Sequence, residues 1–238
     1  MKRWTAPKVP SWFRFILIST GFELILSSPA TYGWTQAWIP AAWWFFLGKH
    51  AVLLLFVTLL APLTLKSDGL LFSDLDFSLA RWRRDATWGF LCGVGVALLL
   101  RGLKVFAARF ADGAGPNPML VSMGDEIGMD PYSMAGLVLS LGLAAPVVEE
   151  LQFRVYAGES FIKSWGERGG VLWGYSVVSS LVFALFHGAG HPAYLPLFFI
   201  AGLVFSRLYA KTRSLLACVV AHGTANLLSL ALAFLFQG

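Results

Sequence analysis

Charge is what this chain has least of. Asp, Glu, Lys and Arg make up 13% of its 238 residues, where a soluble domain carries about 25%. With 57% hydrophobic residues, that shortage excludes an ordinary water-soluble fold. Cysteine is scarce as well. Cys92 and Cys218 both lie inside apolar stretches, so they form neither a disulfide framework nor a CxxC knuckle and read as small buried hydrophobes. No A-x-A cleavage site follows the first apolar run, 13–28, and Glu23 interrupts it. Despite Lys2, Arg3, Lys8 and Arg14 at its start, that run reads as an uncleaved span rather than a removable signal. There is no internal repeat and no low-complexity tract. The segment 111–131 has no Lys or Arg, while holding Asp112, Asp125, Glu126 and Asp130.

What is present in abundance is apolar length. Further runs cover about 38–65, 88–110, 132–162, 171–188, 193–209 and 214–236, near or above the ~20 residues that cross a bilayer. The pattern predicts an all-α protein: a polytopic transmembrane helix bundle of about seven spans, in a single integral membrane domain covering 1–238. The net charge of +5 does not point to nucleic acid, because the basic residues sit in short loops between apolar runs. Lys66, Arg81, Arg83 and Arg84 mark one side, as do Lys163 with Arg168, and Arg207, Lys211 and Arg213. The positive-inside rule then places the N-terminus in the cytoplasm and the C-terminus outside, in a membrane such as the bacterial inner (plasma) membrane. Trp12, Trp34, Trp38, Trp82, Trp88, Trp165 and Trp173 fall near the expected span ends, where interfacial tryptophans belong. Arg101, Lys104 and Arg109 are expected to snorkel near the end of the third span. Lys49 and His50 break a long apolar segment and fit no pattern.

The polar residues inside the later spans are few and concentrated. Ala144-Ala145-Pro146-Val147-Val148-Glu149-Glu150-Leu151-Gln152-Phe153-Arg154 follows a stretch free of charge and then presents two carboxylates and an arginine. An ionisable group at the centre of a bilayer costs about 2.5–3.5 kcal/mol on insertion scales. Phe183 to His187 closes the fifth run, and His222 to Asn226 lies in the seventh, while His191, fenced by Gly190 and Pro192, falls in a loop. Counting at about 1.5 Å per residue from Lys163, Gly170 and Arg213 puts Glu149 about 21 Å, His187 about 25 Å and Asn226 about 20 Å from one face. Three distant segments thus bring polar groups to a common depth. At about 100° per residue, Glu150 and Arg154 share a face while Glu149 points elsewhere. An ion pair is expected between Glu150 and Arg154, leaving Glu149 to react. A glutamate and a histidine at equal depth suit water activation, and Asn226, on the face of His222, can donate to a developing oxyanion.

Glu149-Glu150-x-x-x-Arg154, then Phe183-x-x-x-His187, then His222-x-x-x-Asn226 resembles the motif series of the CPBP family, which includes the CAAX prenyl endopeptidases and bacteriocin-processing or immunity proteins. The resemblance covers 132–236. It implies that this part is the catalytic core of a glutamate-type intramembrane endopeptidase. Glu149 and His187 would activate water, His222 and Asn226 would stabilise the oxyanion, and Glu150, Arg154 and Phe183 would support them. The implied partners are the lipid bilayer and a membrane-associated protein or peptide substrate. No cofactor is expected, since H-E-x-x-H is absent, although Glu149, Glu150, His187 and His222 have the chemistry to ligate zinc. Where the family pattern has glycine after the arginine, this chain has Val155, with Gly158 following. Two other readings remain open: a non-catalytic membrane immunity or binding protein, and a small proton-coupled transporter, which also places Glu, Arg and His at midplane.

Overall fold

The computed structural model describes residues 11–26, 42–66, 79–108, 131–188 and 192–235. His191, Trp34, Trp38, Arg109, the N-terminal basic residues Lys2, Arg3 and Lys8, and the acidic residues of the 111–131 loop lie outside them. Among the described residues there are seven helices and no strand. They are α1 (Ser11–Leu26), α2 (Ala42–Leu65), α3 (Trp82–Ala108), α4, α5 (Gly169–Gly188), α6 (Leu195–Thr212) and α7 (Leu215–Leu235). The helix α4 is composite. It starts as Pro131–Leu139, passes through a π-helical turn Ser140–Ala144, resumes over Ala145–Glu150, turns π-helical again over Leu151–Tyr156 and ends as Ala157–Trp165.

Five of these helices, α3 to α7, are long and apolar enough to cross a membrane. This corrects the expectation of seven. The described part of the first run is a helix of 16 residues, Ser11–Leu26, about 24 Å at the α-helical rise. In α2, which runs 24 residues, Lys49 and His50 interrupt the apolar sequence. The outer faces of α1 and α2 are nevertheless greasy: Leu17, Ile25, Leu55, Leu59 and Leu63 are all exposed. Water would not tolerate such a surface, whereas lipid chains match it. The protein is an integral membrane helical bundle.

Small residues let the helices approach. Gly89 and Gly93 of α3 sit over the carbonyls of Ala217 and Ala221 on α7, where a Cβ would strike the backbone, the small-xxx-small solution to packing in lipid. The helix α1 is held to α4 by Gln152, whose Nε2 donates to Ser19 Oγ at 2.6 Å and Thr20 Oγ1 at 3.2 Å. At the end of α4, Gly166 takes φ 85°, a conformation open to glycine, and its N–H closes on Ile162. The α6–α7 junction turns at Arg213, left-handed at φ 54°. Its guanidinium reaches Glu159 of α4 at 2.7 Å, and Tyr209 donates to the same carboxylate at 2.6 Å. Since α3 to α7 alternate in direction, Arg81, Arg83 and Arg84, then Lys163 and Arg168, then Lys211 and Arg213 all fall at one end of the bundle. Two of the tryptophans there take up cations, Trp173 with Arg207 at 4.1 Å and Trp88 with Lys211 at 5.7 Å. Lys104 lies 5.1 Å from the Tyr194 ring.

Candidate active site

The core of the bundle is polar where α4, α5 and α7 meet. Glu149 and Glu150 sit on the short α-helical stretch between the two π-helical turns of α4, and both are buried. Such turns re-aim side chains by adding a residue to the helical circuit and recur at functional sites. Glu149 Oε2 lies 3.3 Å from His187 Nε2 and 3.8 Å from His222 Nε2. Glu150 Oε1 lies 2.8 Å from His222 Nδ1, and its Oε2 lies 3.1 Å from Arg154 Nε. The i,i+4 pair expected between Glu150 and Arg154 is therefore present. Its further bond to His222 was not expected: spacing along one helix carries no information about a partner on another.

Arg154 is fully buried. Its guanidinium is 4.9 Å from the Phe183 ring centre and 5.8 Å from those of Phe153 and Phe205. Three aromatic faces and one carboxylate replace the water that this cation gives up. Phe183 thus supports the arginine, and its ring also packs against His187 at 4.1 Å between centroids. Phe205 of α6 stacks on His222 at 5.1 Å, a contact that nothing in the motif series announces.

The hydrogen bonds fix the imidazole tautomers. His187 Nδ1 is 2.9 Å from the Phe183 carbonyl; a carbonyl only accepts, so Nδ1 carries the proton. His222 Nδ1 faces Glu150, already the counter-ion of Arg154, and likewise donates. Both rings consequently turn Nε2 toward the same atom, Glu149 Oε2. That oxygen has no hydrogen-bond donor otherwise. A proton, or a water, placed among one carboxylate oxygen and two imidazole nitrogens can be exchanged between them. Among the described residues no group of three or more His, Cys, Asp or Glu side chains converges as a set of metal ligands.

Asn226 lies one turn along α7 from His222, and its Nδ2 donates to the Leu141 carbonyl at 3.0 Å. The structure brings Glu149, Glu150, Arg154, Phe183, His187 and His222 into one contact network, with Asn226 bonded to the backbone of the first π-helical turn. Val155 is buried within the second turn, and Gly158 meets Tyr175 of α5, whose hydroxyl a Cβ there would approach to 2.8 Å. Tyr175 donates to the Phe153 carbonyl at 3.0 Å, and Ser179 to the same oxygen at 3.3 Å. Gly158 therefore gives the Tyr175 ring its place against α4.

The N-terminal helices contribute too. Lys49 and His50, unexplained by the sequence pattern, both face inward. Lys49 Nζ is 3.6 Å from the buried Glu23, and His50 Nδ1 is 3.4 Å from Ser140 Oγ on the first π-helical turn. Glu23 lies within electrostatic reach of Glu149 and His187, and His50 within that of Glu149. Their only sequence signal was negative: polar residues interrupting apolar runs.

The site is a buried glutamate flanked by two histidines inside a helical membrane bundle. Residues 131–228, the segment carrying the motifs, match the family model described as type II CAAX prenyl endopeptidase Rce1-like. No curated protein and no solved structure matches the chain.

Proposed function

We propose that this protein is an intramembrane endopeptidase of glutamate type, hydrolysing a peptide bond in a membrane-associated protein or peptide. The observation that carries the proposal is the convergence of His187 Nε2 and His222 Nε2 on Glu149 Oε2. In this reading Glu149 takes a proton from water and His187 aligns that water. His222, held by Glu150, faces the developing oxyanion. Asn226 gives one amide N–H to Leu141 and keeps a second, which would share the oxyanion. Arg154 and Phe183 hold Glu150 and His187 in place. The reaction as drawn uses no metal. The basic end of the bundle is assigned to the cytoplasm of a bacterial plasma membrane, and the N-terminus is proposed to lie on the same side.

The decisive experiment uses purified protein in lipid nanodiscs and a farnesylated peptide with a CAAX terminus, the substrate class named by the matched family. Glu149→Gln preserves shape but cannot take the proton, and cleavage is expected to fall by about 10²–10⁴-fold. Cleavage at the parental rate would overturn the assignment. Activity is expected to survive exhaustive chelation; loss that zinc restores would replace the metal-free scheme. For orientation, single cysteines at Ser164 and Pro192, in a background lacking Cys92 and Cys218, are expected to label from opposite faces. Labelling from one face would refute the alternation of α4 to α6.

A further inference from the structure

The first π-helical turn of α4 has a cause and a repair. Within it the Ala145 N–H reaches back to the Ser140 carbonyl. The next residue, Pro146, has no N–H to give, so Leu141 loses the main-chain donor that would follow in the same register. An unmatched carbonyl inside a membrane protein is costly, because no water or lipid group there replaces the donor. Three features within about one turn of α7 meet this site. Leu227 packs on Gly142, Gly223 has room only for a hydrogen against the Gly142 carbonyl, and Asn226 donates to Leu141 at 3.0 Å.

We propose that Asn226 is a positioning residue: its amide stands in for the N–H that Pro146 lacks, and so locks the bend of α4 onto α7. The consequence reaches the site directly. Glu149 and Glu150 begin within one turn after Pro146, and His222 lies one turn before Asn226. The Leu141–Asn226 bond and the Glu150–His222 bond are thus two adjacent rungs between the same two helices. Losing the first lets α4 slide or unbend relative to α7, and the second rung then shifts. The role deepens the proposed hydrolytic reading, on which only its turnover consequence rests.

The test is compensation. Asn226→Leu removes the donor, and Pro146→Ala supplies a main-chain N–H at the bend. In Asn226→Leu the nitrogen-15 resonances of the His222 ring, which report its bond to Glu150, are expected to move, and the melting temperature to drop. In Pro146→Ala/Asn226→Leu both are expected to return toward the parental values. With the farnesylated CAAX peptide, the double variant is expected to turn over at least tenfold faster than Asn226→Leu, with little change in KM. If Asn226→Leu does not fold alone, recovery of folded double variant supports the same conclusion. A double variant no better than Asn226→Leu in these measurements, or unmoved His222 resonances in Asn226→Leu, overturns the proposal. An absence of cleavage by the parental protein would refute the hydrolytic reading while leaving the His222 and melting arms to judge this one.

Discussion

In α4 to α7 the buried ionic and imidazole groups form a connected chain: Arg154 to Glu150, Glu150 to His222, and His222 with His187 to Glu149. In α1 and α2 the buried charges instead meet as one looser pair, Glu23 with Lys49 at 3.6 Å, and one Glu23 oxygen has no hydrogen-bond donor. The contrast follows from what surrounds each set. Arg154 is sealed among Phe153, Phe183 and Phe205, so its carboxylate partner has to be placed well. Lys49 keeps some exposure, and a long flexible ammonium can adjust. The connected half matches the protease family; the looser half lies outside that match yet borders the same centre.

Substitutions sharpen or break this contrast. The largest effect is expected from Gly223→Leu, which forces a side chain into the Gly142 backbone carbonyl, where neither partner can yield without separating α4 from α7. Little folded protein should be recovered on size-exclusion chromatography. Next comes Arg154→Leu, which strands Glu150 with only His222; breaking a buried pair on one side costs about 3–5 kcal/mol, read as a fall in melting temperature. Adding Glu150→Leu should restore only part of that loss, because His222 then loses its acceptor. Full restoration would show that the Glu150–His222 bond contributes nothing. Gly158→Ala should cost less, since the Tyr175 ring can shift, though its hydroxyl bond to Phe153 would weaken, at about 0.5–1.5 kcal/mol. The smallest loss of stability is expected from Glu23→Gln, which keeps shape and hydrogen-bonding capacity beside Lys49. If Glu23→Gln destabilised the protein as much as Arg154→Leu, the N-terminal pair would have to be counted with the connected network.

Much of this organisation is legible in the letters. Long runs without charge can only be helices that meet lipid or each other, and α3 to α7 appear where those runs lie. The acid-before-base spacing of Glu150 and Arg154 can be read from helical periodicity, because both residues sit on one helix. Depth counting brought Glu149 and His187 to one level for the same reason: rise per residue is nearly constant. Among the described residues five helices, not the seven expected, have the length and apolarity of a span. Depth counting also assumed one uniform α-helix for 132–162. Pro146 was visible, but a proline can kink, end or widen a helix, and its outcome depends on who satisfies the freed carbonyls.

The sequence by itself thus determined the membrane class, the helical periodicity and the chemical inventory of the site, because each of these depends on composition and on neighbours along the chain. Tertiary structure alone decided the rest. Asn226 faces the Leu141 carbonyl, His222 bonds Glu150 rather than standing free, and Lys49 and His50 turn inward toward Glu23 and Ser140. Each of those contacts joins residues on different helices. Its existence depends on how small residues such as Gly142 and Gly223 let the backbones approach, a distance that no spacing along one helix encodes.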